Sequence, residues 1–170
     1  MKSSNRFALL ATVVVALSSL SSVAIAATAT GNANATVLAP IAITAPTALS
    51  FGSFSGGLAI GTVVVATTGS ARSATNALLS SSLPGVSGKF TVTGANLSFS
   101  IAAPATVTLT GPGPSMVVTL SGLGNGAGSS GVISGGTVDI PFGGSLAVGT
   151  GLTQTAGTYV GSFPMTVEYN

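Results

Sequence analysis

Residues 27–45, ATATGNANATVLAPIAITA, alternate in a single phase: the odd positions are Ala, Gly, Val or Ile, and the even ones mostly Thr or Asn. Side chains of an extended chain project alternately to opposite faces, so a period of two describes a ribbon with one apolar row and one polar row. A strand of a globular domain runs about 5 to 6 residues, far less than this stretch. Its two ends therefore belong to different pairings. We expect the C-terminal part, Val37–Ile43, to be the first strand of a β domain occupying residues 37–170. The N-terminal part, residues 27–36, is expected to be an arm free to pair with another molecule as a donor strand, with Ala29, Ala33, Ala35 and Val37 as its apolar row. A solvated leader of small residues is the plainer alternative.

Upstream lie Lys2 and Arg6, the apolar run 7–17 (FALLATVVVAL), and a Ser-rich stretch ending Ala24-Ile25-Ala26. A basic start, an apolar run shorter than the roughly 20 residues needed to cross a bilayer, and small residues before the break describe a secretory signal peptide over residues 1–26. After it, Gly, Pro, Ser or Thr interrupts every apolar run. We therefore expect export, through a periplasm to the cell surface or beyond, with no integral membrane segment in the mature chain.

Cleavage after Ala26 removes Lys2 and Arg6. Arg72 and Lys89 then stand against Asp139 and Glu168, so the mature chain is close to neutral and has no basic patch for nucleic acid. The sequence contains neither Cys nor His, which removes disulfides, thiol nucleophiles, His-based triads and His or Cys metal sites. A two-carboxylate hydrolase would need Asp139 and Glu168 to face each other across a cleft, and nothing in their spacing argues for that. The expectation is a chain that is not an enzyme, with no catalytic residue, no cofactor and no metal. Arg72, Lys89, Asp139 and Glu168 are read as surface groups whose replacement by Ala shifts stability by no more than about 0.5 kcal/mol.

Along the chain, Ala45-Pro46-Thr47 interrupts the first strand, and residues 49–52 (LSFG) resume a short second one. The VVV of residues 62–67 is a β-branched run suited to a strand covered on both faces or lying mid-sheet. A turn at 69–73 holds Arg72, and a weak strand follows at 76–79. Phe90 and Val92 alternate with Lys89, Thr91 and Thr93; Leu97, Phe99 and Ile101 repeat the pattern. Val107 and Leu109, then Met116, Val118 and Leu120, flank Gly111-Pro112-Gly113-Pro114 as a hairpin. Residues 122–131 (GLGNGAGSSG) read as a flexible loop, since a phosphate cradle would need a following helix. Val138 and Ile140 form one strand, and Leu146 and Val148 another beyond a Gly143-Gly144 turn. No window has a 3.6-residue apolar period, so the fold class is all-β, a single immunoglobulin-like antiparallel sandwich.

In residues 157–170, GTYVGSFPMTVEYN, the side chains of Tyr159, Phe163, Met165, Val167 and Tyr169 share one face, interrupted by Pro164. The approach to Tyr159 is similar to a tyrosine corner, in which a Tyr hydroxyl near the start of the penultimate strand bonds back to upstream backbone; a plain core Tyr is the alternative. If Tyr159 marks a corner, the sandwich lacks its last strand, and an acceptor groove opens beside Tyr159, Phe163, Met165, Val167 and Tyr169.

Residues 41–43, Leu49-Ser50-Phe51-Gly52, Phe90-Thr91-Val92-Thr93-Gly94 and the closing Gly157-Thr158-Tyr159, Phe163 and Val167-Glu168-Tyr169-Asn170 together resemble the bacterial exported family called domain of unknown function 4402. The closing pattern is also similar to pilus subunits of the chaperone-usher type, including the spore-coat-U-like group, although Pro164 departs from the Thr-type residue expected there. That resemblance implies a fimbrial or surface-fibre subunit, partnered by copies of itself or related subunits and served by a periplasmic chaperone and an outer-membrane usher. Near absence of charge agrees with edges meant to pair, because sheets ordinarily guard exposed edges with Lys, Pro or inward charges. The competing function is a monomeric secreted module that binds carbohydrate or a surface, which would need exposed aromatic side chains.

Overall fold

A computed structural model describes residues 26–123 and 129–170. The expected signal peptide lies outside the described residues except for Ala26. Residues 26–35 carry no strand, and the compact unit runs from Thr36 to Asn170.

That unit is all-β, and among the described residues it has no helix. Its strands are β1 (Ala42–Thr47), β2 (Phe54–Gly56), β3 (Gly61–Val65), β4 (Arg72–Thr75), β5 (Ala77–Leu79), β6 (Gly88–Thr93), β7 (Ser98–Ala102), β8 (Thr106–Leu109), β9 (Met116–Ser121), β10 (Ser129–Val132), β11 (Thr137–Val148) and β12 (Thr166–Tyr169). One sheet runs β1-β6-β11-β3-β4, with β9 also on β11 and β8 on β9. A second runs β10-β7-β12, and β2 pairs with β5. Every pairing is antiparallel. The architecture is a β-sandwich with one strongly curled sheet.

The curl comes from β11. Its first half, Thr137–Phe142, pairs with β6; from Gly143 on, it pairs with β9 on one side and β3 on the other. The glycines read as a turn between two strands are instead the bend within one continuous strand. A Cβ at Gly143 would run into the backbone of Val65 and Ala66, and one at Gly144 would lie 2.9 Å from Thr119 O. Glycine is needed here for close backbone approach, the other meaning a glycine carries within a strand.

Alternation decides the core. Met116, Val118 and Leu120 of β9 are buried, as are Phe99 and Ile101 of β7 and Val92 of β6. In β3, Val63 and Val65 are fully buried but Val64 is 37% exposed, so that strand is covered on one face and owes its β-branched run to its mid-sheet place between β11 and β4. The hairpin of β8 and β9 is present, with Leu109 opposite Met116.

Several expected boundaries move. The first strand is Ala42–Thr47 rather than Val37–Ile43, and Val37 is 95% exposed. It runs past Pro46 because the register shifts between Thr44 and Thr47, a bulge that accommodates a residue with no N–H. Of the expected strand at 49–52 only Ser50 is bridged, to Val86, and the strand proper begins at Phe54. The loop expected at 122–131 ends in β10, which pairs with β7; residues 124–128 of it lie outside the described residues. The single long closing strand is divided as well: Val160 bridges Thr110, and pairing resumes at Thr166 beyond Pro164. Even so, Tyr159, Phe163, Met165, Val167 and Tyr169 all pack half-buried against the core.

Candidate functional site

Beside the chain that leads into β12 lies an apolar groove of about 1190 Å³, with residues 47–54 as one wall and residues 158–163 as the other. Its floor is the core itself: Phe90 of β6, Val107 and Leu109 of β8, Met116 and Val118 of β9, and Phe142 of β11. Phe142 stacks on Phe90 with ring centroids 5.0 Å apart, and Phe163 meets both rings edge-on at 5.9 and 5.7 Å. Such offset and edge-to-face pairs are the favoured aromatic arrangements. The aromatic trio joins floor to wall.

Tyr159 anchors the second wall. Its hydroxyl donates to Thr155 O at 2.8 Å, four residues upstream, and accepts from Gly113 N at 3.0 Å. The upstream bond is that of a tyrosine corner. Gln154 Nε2 donates to Pro114 O at 2.9 Å, tying the same loop to the β8–β9 connection. Of the other residues expected beside a groove, Met165, Val167 and Tyr169 lie further along the chain and do not line it. Tyr169 is a second anchor: its hydroxyl donates to Ala39 O at 2.9 Å and accepts from Ala95 N at 2.6 Å. Of the arm's apolar row, Ala29, Ala33 and Ala35 lie in the strand-free residues 26–35, and Val37 is solvent-exposed.

The first wall is held by Arg72, which sequence reasoning read as a surface cation in a turn. It is a half-buried residue opening β4. Its Nη1 donates to Phe51 O at 2.8 Å, Ser53 O at 3.1 Å and Leu83 O at 3.3 Å, and its Nη2 donates to Ser80 O at 2.6 Å. Bonds from a charged donor are roughly twice as strong as neutral ones, so the surface-like cost expected for replacing Arg72 does not apply. A signal was there to be used: in a chain this poor in charge, a cation amid Gly, Ser and apolar residues needs oxygens from somewhere, and backbone carbonyls are the ones at hand. Beside it, Ser53 Oγ is buried and has no partner among the described residues.

The remaining charges stand elsewhere. Asp139 accepts from Thr91 Oγ1 at 2.7 Å and from Lys89 Nζ at 2.9 Å. The Thr91 hydroxyl first, then Lys89, holds its carboxyl below the ordinary carboxylate range. Glu168 lies on β12, in a different sheet from Asp139 of β11. The structure does not bring the two carboxylates onto one strand pair. Among the described residues, no three Asp, Glu, His or Cys side chains converge as metal ligands.

Residues 41–169 match the family described as domain of unknown function (DUF4402). The chain belongs to that family. Comparison with curated proteins and with solved structures gave no match. In this DUF4402 chain the matched residues run from just before β1 to the end of β12 and contain both walls of the groove and its floor. What the site offers chemically is apolar surface and backbone, suited to burying alternate side chains of an extended peptide and pairing with its main chain.

Proposed function

We propose that this chain is a structural subunit of an extracellular, fimbria-like fibre, in which the N-terminal arm of one subunit adds as a strand to the groove of the next. The observation that carries the reading is the groove itself, whose apolar floor is made by half-buried Phe90 and Leu109 over the almost fully buried Met116 and Phe142. A groove lined by apolar side chains and backbone is the kind of surface that takes up an extended peptide. The period-two arm fits such a slot, because its odd-numbered residues enter the groove while its backbone pairs along an edge. Val37 at the root of the arm, almost fully exposed, is the one large side chain it brings.

On this reading the chain is exported and partnered by copies of itself or related subunits. A periplasmic chaperone and an outer-membrane usher are the partners its similarity to chaperone-usher subunits suggests. A monomeric carbohydrate-binding module is less well supported, since the hydroxyls of Tyr159 and Tyr169 are both engaged by backbone and the sequence has no Trp. Size-exclusion of the secreted protein, with crosslinking, tests the proposal. A ladder of multiples or fibres is expected, and a single sharp monomer peak at every concentration would overturn it.

A further inference from the structure

Every backbone N–H and C=O of a folded chain needs a partner, in the protein or in water, and the two walls of the groove differ in what they have left to offer. On the first wall, Ser50 exchanges both its backbone groups with Val86, and Ser53 donates to Leu83 O and accepts from Ser80 N. Phe51 O and Ser53 O are taken by Arg72. Gly52 N donates to Ser50 Oγ at 3.2 Å. Gly52 itself sits at φ +66°, where a Cβ would run into the Arg72 guanidinium and Leu83 O, so the turn and the cation fit together only with glycine there. Beyond Leu49 this wall has no continuous row of free groups.

The second wall is different. Val160 exchanges bonds with Thr110 at 2.8 and 2.9 Å, on the β8 side. Alternate residues of an extended chain direct their backbone groups to opposite edges; Tyr159, Gly161 and Phe163 are in the phase opposite to Val160, and all three line the groove. Among the described residues none of these takes part in a backbone hydrogen bond.

We infer that a strand entering the groove forms its hydrogen-bond ladder with the Tyr159–Phe163 wall, and that Arg72 is the positioning residue that withholds the opposite wall from pairing. The inference rests on the strand-addition reading above. Arg72 draws its four carbonyl acceptors from two loops, Phe51 and Ser53 from one and Ser80 and Leu83 from the other. It fastens loop to loop and spends the oxygens a second ladder would use. Pairing is thus one-sided, and the far edge of the incoming strand meets apolar side chains instead of backbone.

N-methylation of a peptide tests this without altering the protein, because each methyl removes one N–H and blocks one edge of the strand. Labelled peptides of residues 27–37, unmodified or N-methylated at alternate positions in either phase, are titrated into the full-length chain. Methylation in one phase is expected to weaken uptake by about tenfold or more, the effect of one or two lost hydrogen bonds. The other phase is expected to change it by less than about threefold. On binding, amide exchange should slow at Gly161 and Phe163 and not at Phe51. Equal losses in both phases would overturn one-sided pairing and leave strand addition standing. Failure of the unmodified peptide to bind would overturn strand addition and this inference with it. In Arg72→Lys, a single ammonium cannot span both loops, and the second phase is expected to become sensitive; uptake that stays one-sided in that variant would remove the role assigned to Arg72.

Discussion

Phe142→Ala lowers the stability of the domain by about 3 kcal/mol or more, within the range for truncating a buried Phe. Phe142 is 3% exposed, stands immediately before the Gly143 bend of β11, and its ring covers Gly88 of the neighbouring strand so closely that no Cβ would fit beneath it. Truncation removes its stacking on Phe90 and its edge contact with Phe163, each worth about 0.5–1.5 kcal/mol beyond burial. Because the ring also lines the groove, the space it vacates merges with that groove, so the loss comes mainly from transfer and contact energy. A shift of the denaturation midpoint at constant slope measures it. A loss below about 1 kcal/mol would contradict the placement of this ring at the junction of floor, wall and bend.

On the strand-addition proposal, deleting residues 27–36 is expected to abolish polymers while leaving the domain folded. The arm's side chains contribute little singly, since burying an alanine methyl is worth roughly 0.8 kcal/mol or less. The association must come from several ladder hydrogen bonds at about 0.5–1.5 kcal/mol each, together with Val37. A subunit without an arm still has a groove but has nothing to extend into the next one. It therefore ends a chain. Mixed with intact subunits, the truncated protein is expected to shorten fibres in proportion to its share, measured by electron microscopy or light scattering. Fibres formed by the truncated protein alone would refute the arm as donor.

What the sequence made legible was the facing of side chains. The alternation in Phe90 and Val92, in Phe99 and Ile101, and in Met116, Val118 and Leu120 identified the inward row of each strand, and those rows are the core. Period two says which side is apolar, not whether another element covers it. Leu109, Met116 and Phe142 were thus readable as core residues and not as the floor of a groove. Gly143-Gly144 misled because glycine pairs commonly mark turns, whereas here they permit a strand to bend between partners. Pro46 and Pro164 gave opposite outcomes, one absorbed in a bulge within β1 and the other separating the Val160 bridge from β12. For Arg72 the need for oxygen acceptors was readable but the acceptors were not, because they are backbone carbonyls of loops brought together only by folding.

The central claim is that the arm of one copy lies in the groove of another. The chain has no Cys, so two single-Cys variants, Asn34→Cys in the arm's outward row and Val160→Cys in the exposed row of the groove wall, can be made separately, mixed and oxidised. Because each copy carries one thiol, a disulfide between positions 34 and 160 can form only between molecules. The account predicts this mixed dimer in high yield, and predicts its loss when excess unlabelled peptide of residues 27–37 is added first. Oxidation that yields no 34–160 species, with fibres still present, would contradict it.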